Sequence, residues 1–234
     1  MPPIHSAVLS VTDAIRTRSR PHREQYLEDL WNRKADHPRR EDLGCGNLAH
    51  GIAACGVSDK QQLKLMQSAN IAIVTAHNDM LSAHQPYAAY PDLIKQSLQE
   101  MGCTGQIAAG VPAMCDGVTQ GRPGMELSLL SRDLIAQCTA VGLSHEMFDG
   151  LLALGICDKI VPGLMIGALR HGHLPMIFIS LTDSDAVIIL QTKKVDIKKE
   201  PCRSRVLKFE YKLNLFTAAS HFSTRYITVF VDEI

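Results

Sequence analysis

The sequence has no surplus of either charge: 24 Lys and Arg stand against 24 Asp and Glu in 234 residues. Without a basic excess there is no field to gather a nucleic-acid backbone or an anionic membrane, so neither partner is expected. No run of 18 or more apolar residues occurs, the length a membrane-crossing helix needs. The opening MPPIHSAVLSVTDAIRTRSR lacks the charged start, long apolar stretch and small-residue cleavage site of a secretory signal. These absences predict a cytoplasmic protein. Neither G-x-G-x-x-G nor G-x-x-x-x-G-K-[ST] is present, so no loop that cradles nucleotide phosphates is expected. The seven cysteines (45, 55, 103, 115, 138, 157 and 202) are odd in number and irregularly spaced. With no export signal, that pattern predicts free thiols, one or more of them metal ligands, in place of a disulfide framework.

Glycine is missing from one end. All 16 glycines lie at or before position 172, while six of the twelve aromatic residues follow position 208. An α/β domain uses glycine in its turns throughout, so residues 181–234 read as a different kind of sequence. The expected division is a helical amino-terminal arm over 1–40, an α/β domain over 41–180 and an unrelated tail, disordered or frameshifted, over 181–234.

With 46% of its residues hydrophobic and 21% charged, the chain is long enough to bury a full core. Residues 1–40 are polar and arginine-rich, with Tyr26, Leu27, Leu30 and Trp31 at helical spacing. The β-branched run Ile71-Ala72-Ile73-Val74-Thr75 suits a buried strand that ends at the polar cluster His77-Asn78-Asp79. Residues 90–101 then read as a helix stopped by Gly102. The alternation continues with strands over 105–111, 151–156 and 175–180 and helices over 125–141 and 161–171. Such alternation predicts an α/β fold, a parallel sheet flanked by helices. Its chemistry is expected where strands end and helices begin, in the polar loops 77–84, 114–121 and 157–163.

Within those loops, Gly155-Ile156-Cys157-Asp158-Lys159 sets a thiol, a carboxylate and an amine in succession after an apolar strand. A thiolate prefers soft iron or zinc and a carboxylate hard magnesium, so adjacent Cys157 and Asp158 can serve two neighbouring metal centres. The same residues also describe a buried cysteine beside a surface salt bridge. Cys115-Asp116-Gly117 reads either as a second functional loop or as a plain Asp-Gly turn. Cys45, His50 and Cys55 have no paired C-x-x-C to complete a tetrahedral zinc site, so a glycine-lined substrate loop is the better reading there. His77, Asn78, Asp79 and His84 form a loop able to hold an anion or sugar hydroxyls, or simply to hydrogen-bond within itself.

Six segments, CGNLAHG, NIAI with HNDMLSAHQPY, GVPAMCDGVTQG, GMELSLLSRDLIA, VGLSHEMFDG and GICDKIVPG, resemble in order and spacing the dihydroxy-acid and 6-phosphogluconate dehydratase family, and specifically its phosphogluconate branch. The resemblance runs from about Asp13 to Ile179. It implies a hydro-lyase of the Entner–Doudoroff pathway, converting 6-phospho-D-gluconate to 2-dehydro-3-deoxy-6-phosphogluconate and water, with an iron–sulfur cluster as Lewis acid. Cys157 is implied as a cluster ligand, and Asp116 and Asp158 as ligands of a divalent metal, Mg2+. Lys159 matches the lysine carboxylated in the dihydroxy-acid branch. Asn47, His50, Asn78 and His84, by their loop positions, are the candidates for binding the phosphorylated substrate.

Ser82-Ala83-His84 replaces the loop cysteine of the dihydroxy-acid branch, which favours a [4Fe-4S] cluster and leaves a dihydroxy-acid dehydratase a distant alternative. Family members are homodimers several hundred residues longer. On this reading the chain is truncated, the general base is expected in the missing carboxy-terminal half, and the rival expectation is an inactive remnant without catalysis of its own.

Overall fold

A computed structural model describes residues 4–36, 40–66, 68–179 and, for the backbone, 188–190. The chain opens with helix α1, Ser6–Asp36. Two short helices follow, α2 (Cys45–Gly51) and α3 (Val57–Lys64). Strand β1 (Asn70–Thr75) comes next, then α4 (Tyr90–Glu100), β2 (Thr104–Gly110), the single turn α5 (Asp116–Thr119), α6 (Ser131–Leu143), β3 (Gly150–Leu154), α7 (Ile160–Leu169) and β4 (Met176–Ile179). A three-residue strand, β5 (Ile188–Leu190), completes a sheet of order β2-β1-β3-β4-β5.

The first four strands are parallel, as the alternation predicts, and β5 pairs antiparallel with β4. β1 is buried at all six positions because it lies between two neighbours with both of its faces covered, which is why its sequence is a continuous apolar run. The chain leaves β1 toward β2 on one side and then crosses back to β3 on the other, so the loops after β1, β2 and β3 meet around one topological switch point.

Helices α6 and α7 pack closely, and glycine permits it. A Cβ at Gly167 would lie 2.5 Å from the Ala136 carbonyl oxygen and 2.6 Å from Thr139 Cβ, and one at Gly163 would lie 2.8 Å from Ile135. α1 docks through its second half. Tyr26 Oη and Arg33 Nη1 donate to the carbonyls of Leu169 (2.9 Å) and Arg170 (3.1 Å), satisfying acceptors that the end of α7 leaves without helical partners. Leu27 and Trp31 remain largely exposed.

The helix expected over 125–141 begins later than its apolar spacing suggests. Pro123–Leu127 forms a 3-10 turn and α6 starts at Ser131. The Ser128 hydroxyl is engaged with Asp116 and its carbonyl with Ser131 Oγ at 2.6 Å, so tertiary contacts fix the break. The tail expected over 181–234 lies outside the described residues apart from the backbone of β5.

The amino ends of the strands are tied by a polar network. Arg40, 8% exposed, donates to the Met147 carbonyl (3.2 Å), to Asp149 Oδ2 (2.9 Å) and to the Ser68 carbonyl (2.7 Å). Asp149 Oδ2 also accepts from the Asn70 backbone N–H (2.8 Å), and the Asn70 amide donates to Gln106 and to the Met147 carbonyl. Every one of these groups would cost free energy if buried alone; together they anchor the lead-in segment to the sheet.

Candidate functional site

At the carboxy ends of the strands, a cleft of about 320 Å³ is lined by the three polar loops: Leu81–His84, Met114–Gly117 and Cys157–Lys159. Its volume lies within the range of small-molecule sites. The loops are held by short extensions of the sheet ladder, from Ala76 N–H to the Leu154 carbonyl (3.0 Å) and from Val111 N–H to the Thr75 carbonyl (3.0 Å). Tyr87, fully buried, ties the first loop to the end of β4 by donating to the Ile179 carbonyl at 2.8 Å.

Lys159 is the centre of the cleft. Its side chain is only 3% exposed, and its Nζ lies 2.5 Å from Asp116 Oδ1 and 4.0 Å from Asp158 Oδ1. A buried ammonium requires such a partner, since removal from water is otherwise prohibitive. Asp116 also accepts a hydrogen bond from Ser128 Oγ. The hydrogen bond from Lys159, reinforced by that of Ser128, holds the Asp116 carboxyl below its ordinary value despite some desolvation. Asp158, with 80% of its side chain exposed, faces solvent at the mouth.

Cys157 is exposed and adopts φ +83°, a left-handed conformation that costs a non-glycine residue about 1–2 kcal/mol. Such a conformation persists only where surrounding contacts enforce it. Partial desolvation pushes its thiol up from the ordinary value, with Asp158, Cys115 and Asp116 adding to the rise and Lys159 opposing it. Cys115, half-buried, lines the same cleft.

His84 is fully buried. Its Nε2 accepts the backbone N–H of Ile156 at 3.0 Å, which assigns the proton to Nδ1 in the neutral ring. Nδ1 has no hydrogen-bond partner among the described residues. Burial pushes this histidine below the ordinary imidazole value, and the like charges of His77 and Lys159 push the same way. An N–H aimed at the ring's lone pair also favours the neutral form.

The structure therefore brings Asp116, Cys157, Asp158, Lys159 and His84 together and leaves the other three expected residues apart. Asn78 closes its own loop, its Oδ1 accepting from Met80 N–H at 2.9 Å, and it does not line the cleft. Asn47 and His50 are exposed on α2. That helix is joined to β2 near its start by Gln106 Nε2 donating to the Gly51 carbonyl (2.9 Å), and its last residue abuts Met147. They therefore stand at the opposite end of the strands from the cleft. Sequence reading passed over Cys115 and Ser128 as site members. Ser128 carried no signal of its own, whereas Cys115 adjoins Asp116 in a loop already marked as polar.

The donor types suit one metal better than another. Asp116 and Asp158 present hard carboxylate oxygens, the donor type a divalent cation such as magnesium takes, but the Lys159 ammonium stands against them at 2.5 and 4.0 Å, so a cation fits only where that amine loses its charge or moves off Asp116. Cys115 and Cys157 supply two thiols, fewer than a [4Fe-4S] cluster takes even with one iron left open to act as a Lewis acid, so the described residues do not complete a cluster. Among the described residues, no three His, Cys, Asp or Glu side chains converge as a metal-ligand set.

Residues 68–207 match the family described as dihydroxy-acid/6-phosphogluconate dehydratase N-terminal. The match extends past position 180, where the composition changes. Among curated proteins, the phosphogluconate dehydratase of Pseudomonas aeruginosa is 63% identical over 176 residues, 75% of this chain and 29% of that protein. That of Escherichia coli K12 is 59% identical over 172 residues, 74% of this chain and 28% of that protein. A dihydroxy-acid dehydratase of Akkermansia muciniphila is 39% identical over 110 residues, 47% of this chain and 19% of that protein. The chain thus spans less than a third of the length of these relatives. The matched residues cover β1 to β4 and all three loops of the cleft, and the chain belongs to the dihydroxy-acid/6-phosphogluconate dehydratase N-terminal family.

Proposed function

We propose that this chain forms one wall of the active site of a 6-phosphogluconate dehydratase, a hydro-lyase that takes 6-phospho-D-gluconate to 2-dehydro-3-deoxy-6-phosphogluconate and water. The observation that carries the reading is the cleft itself, in which Asp116, Cys157, Asp158 and Lys159 meet at the carboxy ends of three parallel strands. The branch is supported by identities of 54–63% to phosphogluconate dehydratases over 172–179 residues, against 39% over 110 residues to the dihydroxy-acid relative.

Elimination across C2 and C3 requires a proton to leave C2 and hydroxide to leave C3. A metal held by Asp116 and Asp158 would supply Lewis acidity toward the substrate's oxygens. The chain's own residues would act around it. Ser128 fixes the rotamer of Asp116, so that its oxygens hold still as substrate binds. Without a metal, Lys159 as ammonium neutralises Asp116; a divalent cation on Asp116 and Asp158 would require that amine to give up its charge or to move off Asp116. It is the one cationic side chain among the lining residues. Carboxylation of Lys159 would reverse that charge and add two further hard oxygen donors. Cys157, at the exposed rim, is the thiol best placed to meet a soft metal.

The same reading places the protein in the cytoplasm as part of a homodimer; among the described residues, no helix is long and apolar enough to cross a membrane. On this reading the chain divides into a helical arm (1–40), an α/β domain (41–180) and a tail (181–234). A [4Fe-4S] cluster would take its further thiolates from outside the described residues. The two-thiol cleft also favours a second reading, that the isolated chain performs no turnover.

The test is a chimera. Residues 4–179 replace the matching segment of the Pseudomonas aeruginosa relative, and keto-acid formation from 6-phosphogluconate is followed without oxygen. Retained turnover that is lost on Asp116→Asn is the expected result. A folded chimera that is inactive, or that prefers an unphosphorylated dihydroxy acid, overturns the assignment. Anaerobic purification of the chain itself, with iron, sulfide and turnover measured on one sample, separates the two readings of the isolated chain.

A further inference from the structure

We infer that His84 is a positioning residue, whose Nε2 holds the Ile156 amide and thereby keeps Cys157 in its left-handed conformation at the mouth of the cleft. Three observations carry it. First, the ring is fully buried at the wall of the cleft, so its Nε2 meets a protein group and not solvent. Second, its Nε2 accepts the N–H of Ile156 at 3.0 Å, one residue before Cys157, whose φ is +83°. A strained backbone needs an external restraint, and a hydrogen bond from the peptide one residue upstream supplies one.

Third, the ring is itself immobilised. Tyr87 meets it edge-on with centroids 5.5 Å apart, and Tyr87 is fully buried and bonded to the Ile179 carbonyl. The His84 backbone N–H is bonded to the Leu81 carbonyl at 2.8 Å. The restraint therefore runs from the end of β4 through Tyr87 and His84 to the Gly155–Ile156 peptide, one residue ahead of the thiol. A fixed acceptor is what this position demands, and the neutral imidazole provides it without a charge.

The inference rests on reading Cys157 as a functional thiol, but its test measures the loop alone, so its failure and the failure of that reading are distinguishable. The experiment uses the full-length chain without metal, under anaerobic reducing conditions removed just before assay. The alkylation rate of Cys157 is followed by mass spectrometry of its peptide, with exposed Cys45 at the other end of the strands as internal reference. Gln at position 84 can put its amide oxygen near the place of Nε2, whereas Phe fills the space without an acceptor.

His84→Gln is expected to label Cys157 at the wild-type rate. His84→Phe is expected to change that rate by about tenfold, the effect of one buried hydrogen bond on a local opening equilibrium, with Cys45 unaffected. Equal Cys157 rates in wild type, His84→Gln and a folded His84→Phe overturn the inference, as does a Gln variant that behaves like the Phe variant. Hydrogen exchange in the wild-type chain decides the matter if His84→Phe does not fold. A protected Ile156 amide that stays protected in His84→Gln supports the restraint, and an Ile156 amide exchanging as freely as an exposed loop removes it.

Discussion

Replacing Asp116 and replacing Lys159 should have unequal consequences, although each breaks the same ion pair. Asp116→Asn leaves an ammonium whose side chain is 3% exposed with only Asp158 nearby, at 4.0 Å and largely in water. Stranding one partner of a fully buried pair costs about 3–5 kcal/mol. Asp116 is itself 39% exposed, so water screens part of the interaction, and about 2 kcal/mol is the expected loss. Lys159→Met instead removes the buried charge and keeps an apolar stem of similar length. The carboxylate left behind retains the Ser128 hydrogen bond and access to solvent, so the expected change is within about 1 kcal/mol. Urea unfolding at pH 7, with chelator and followed by circular dichroism, reads both. With a slope of about 2 kcal/mol/M, the Asn variant should lose about 1 M in midpoint and the Met variant less than half of that. A Met variant destabilised as much as the Asn variant would refute the reasoning, because Lys159 would then be stabilising the fold through something other than a charge that depends on Asp116.

Gly167→Val places a Cβ 2.5 Å from the Ala136 carbonyl oxygen and should separate α6 from α7 at a cost of about 2–3 kcal/mol, read as a lowered melting temperature; an unchanged melting temperature would contradict the packing. Arg40→Met leaves the carbonyls of Met147 and Ser68 without their guanidinium donor. The expected loss is about 2–3 kcal/mol, checked by urea midpoint against the milder Arg40→Lys. Burial holds His84 below its ordinary value of 6.5, so the unfolded chain takes up a proton that the folded chain refuses. Its contribution to stability is full above about pH 6.5 and is lost as pH falls from there toward the folded value; His84→Gln should flatten that part of the stability profile measured without metal. Intact mass of the chain after incubation with bicarbonate tests Lys159: addition of one carbon dioxide that disappears in Lys159→Arg is the expected signature of carboxylation.

Much of the fold was legible because it rests on local pattern. The apolar run of β1 announces a strand covered on both faces, Gly102 ends α4 with φ +71°, and the polar clusters that follow the apolar strands mark the loops of the cleft. The adjacency of Cys157, Asp158 and Lys159 is likewise written directly in the chain. The start of α6 was not legible, since apolar spacing continues through Met125 and Leu127 while the break is imposed by Ser128 reaching Asp116.

The sequence by itself thus determined the alternation of elements, the family and the loops in which chemistry is to be found. Only the tertiary structure decided which of those residues meet. It is the strand order, β2 and β3 on either side of β1, that carries Asp116 to Lys159, and no local pattern encodes that pairing. The same order leaves Asn47 and His50 at the far end of the strands and turns His84 inward to the Ile156 peptide. The reason is physical: periodicity and turn chemistry are set by neighbours a few residues away, whereas the burial of a charge or a ring is settled by whatever the folded sheet brings against it.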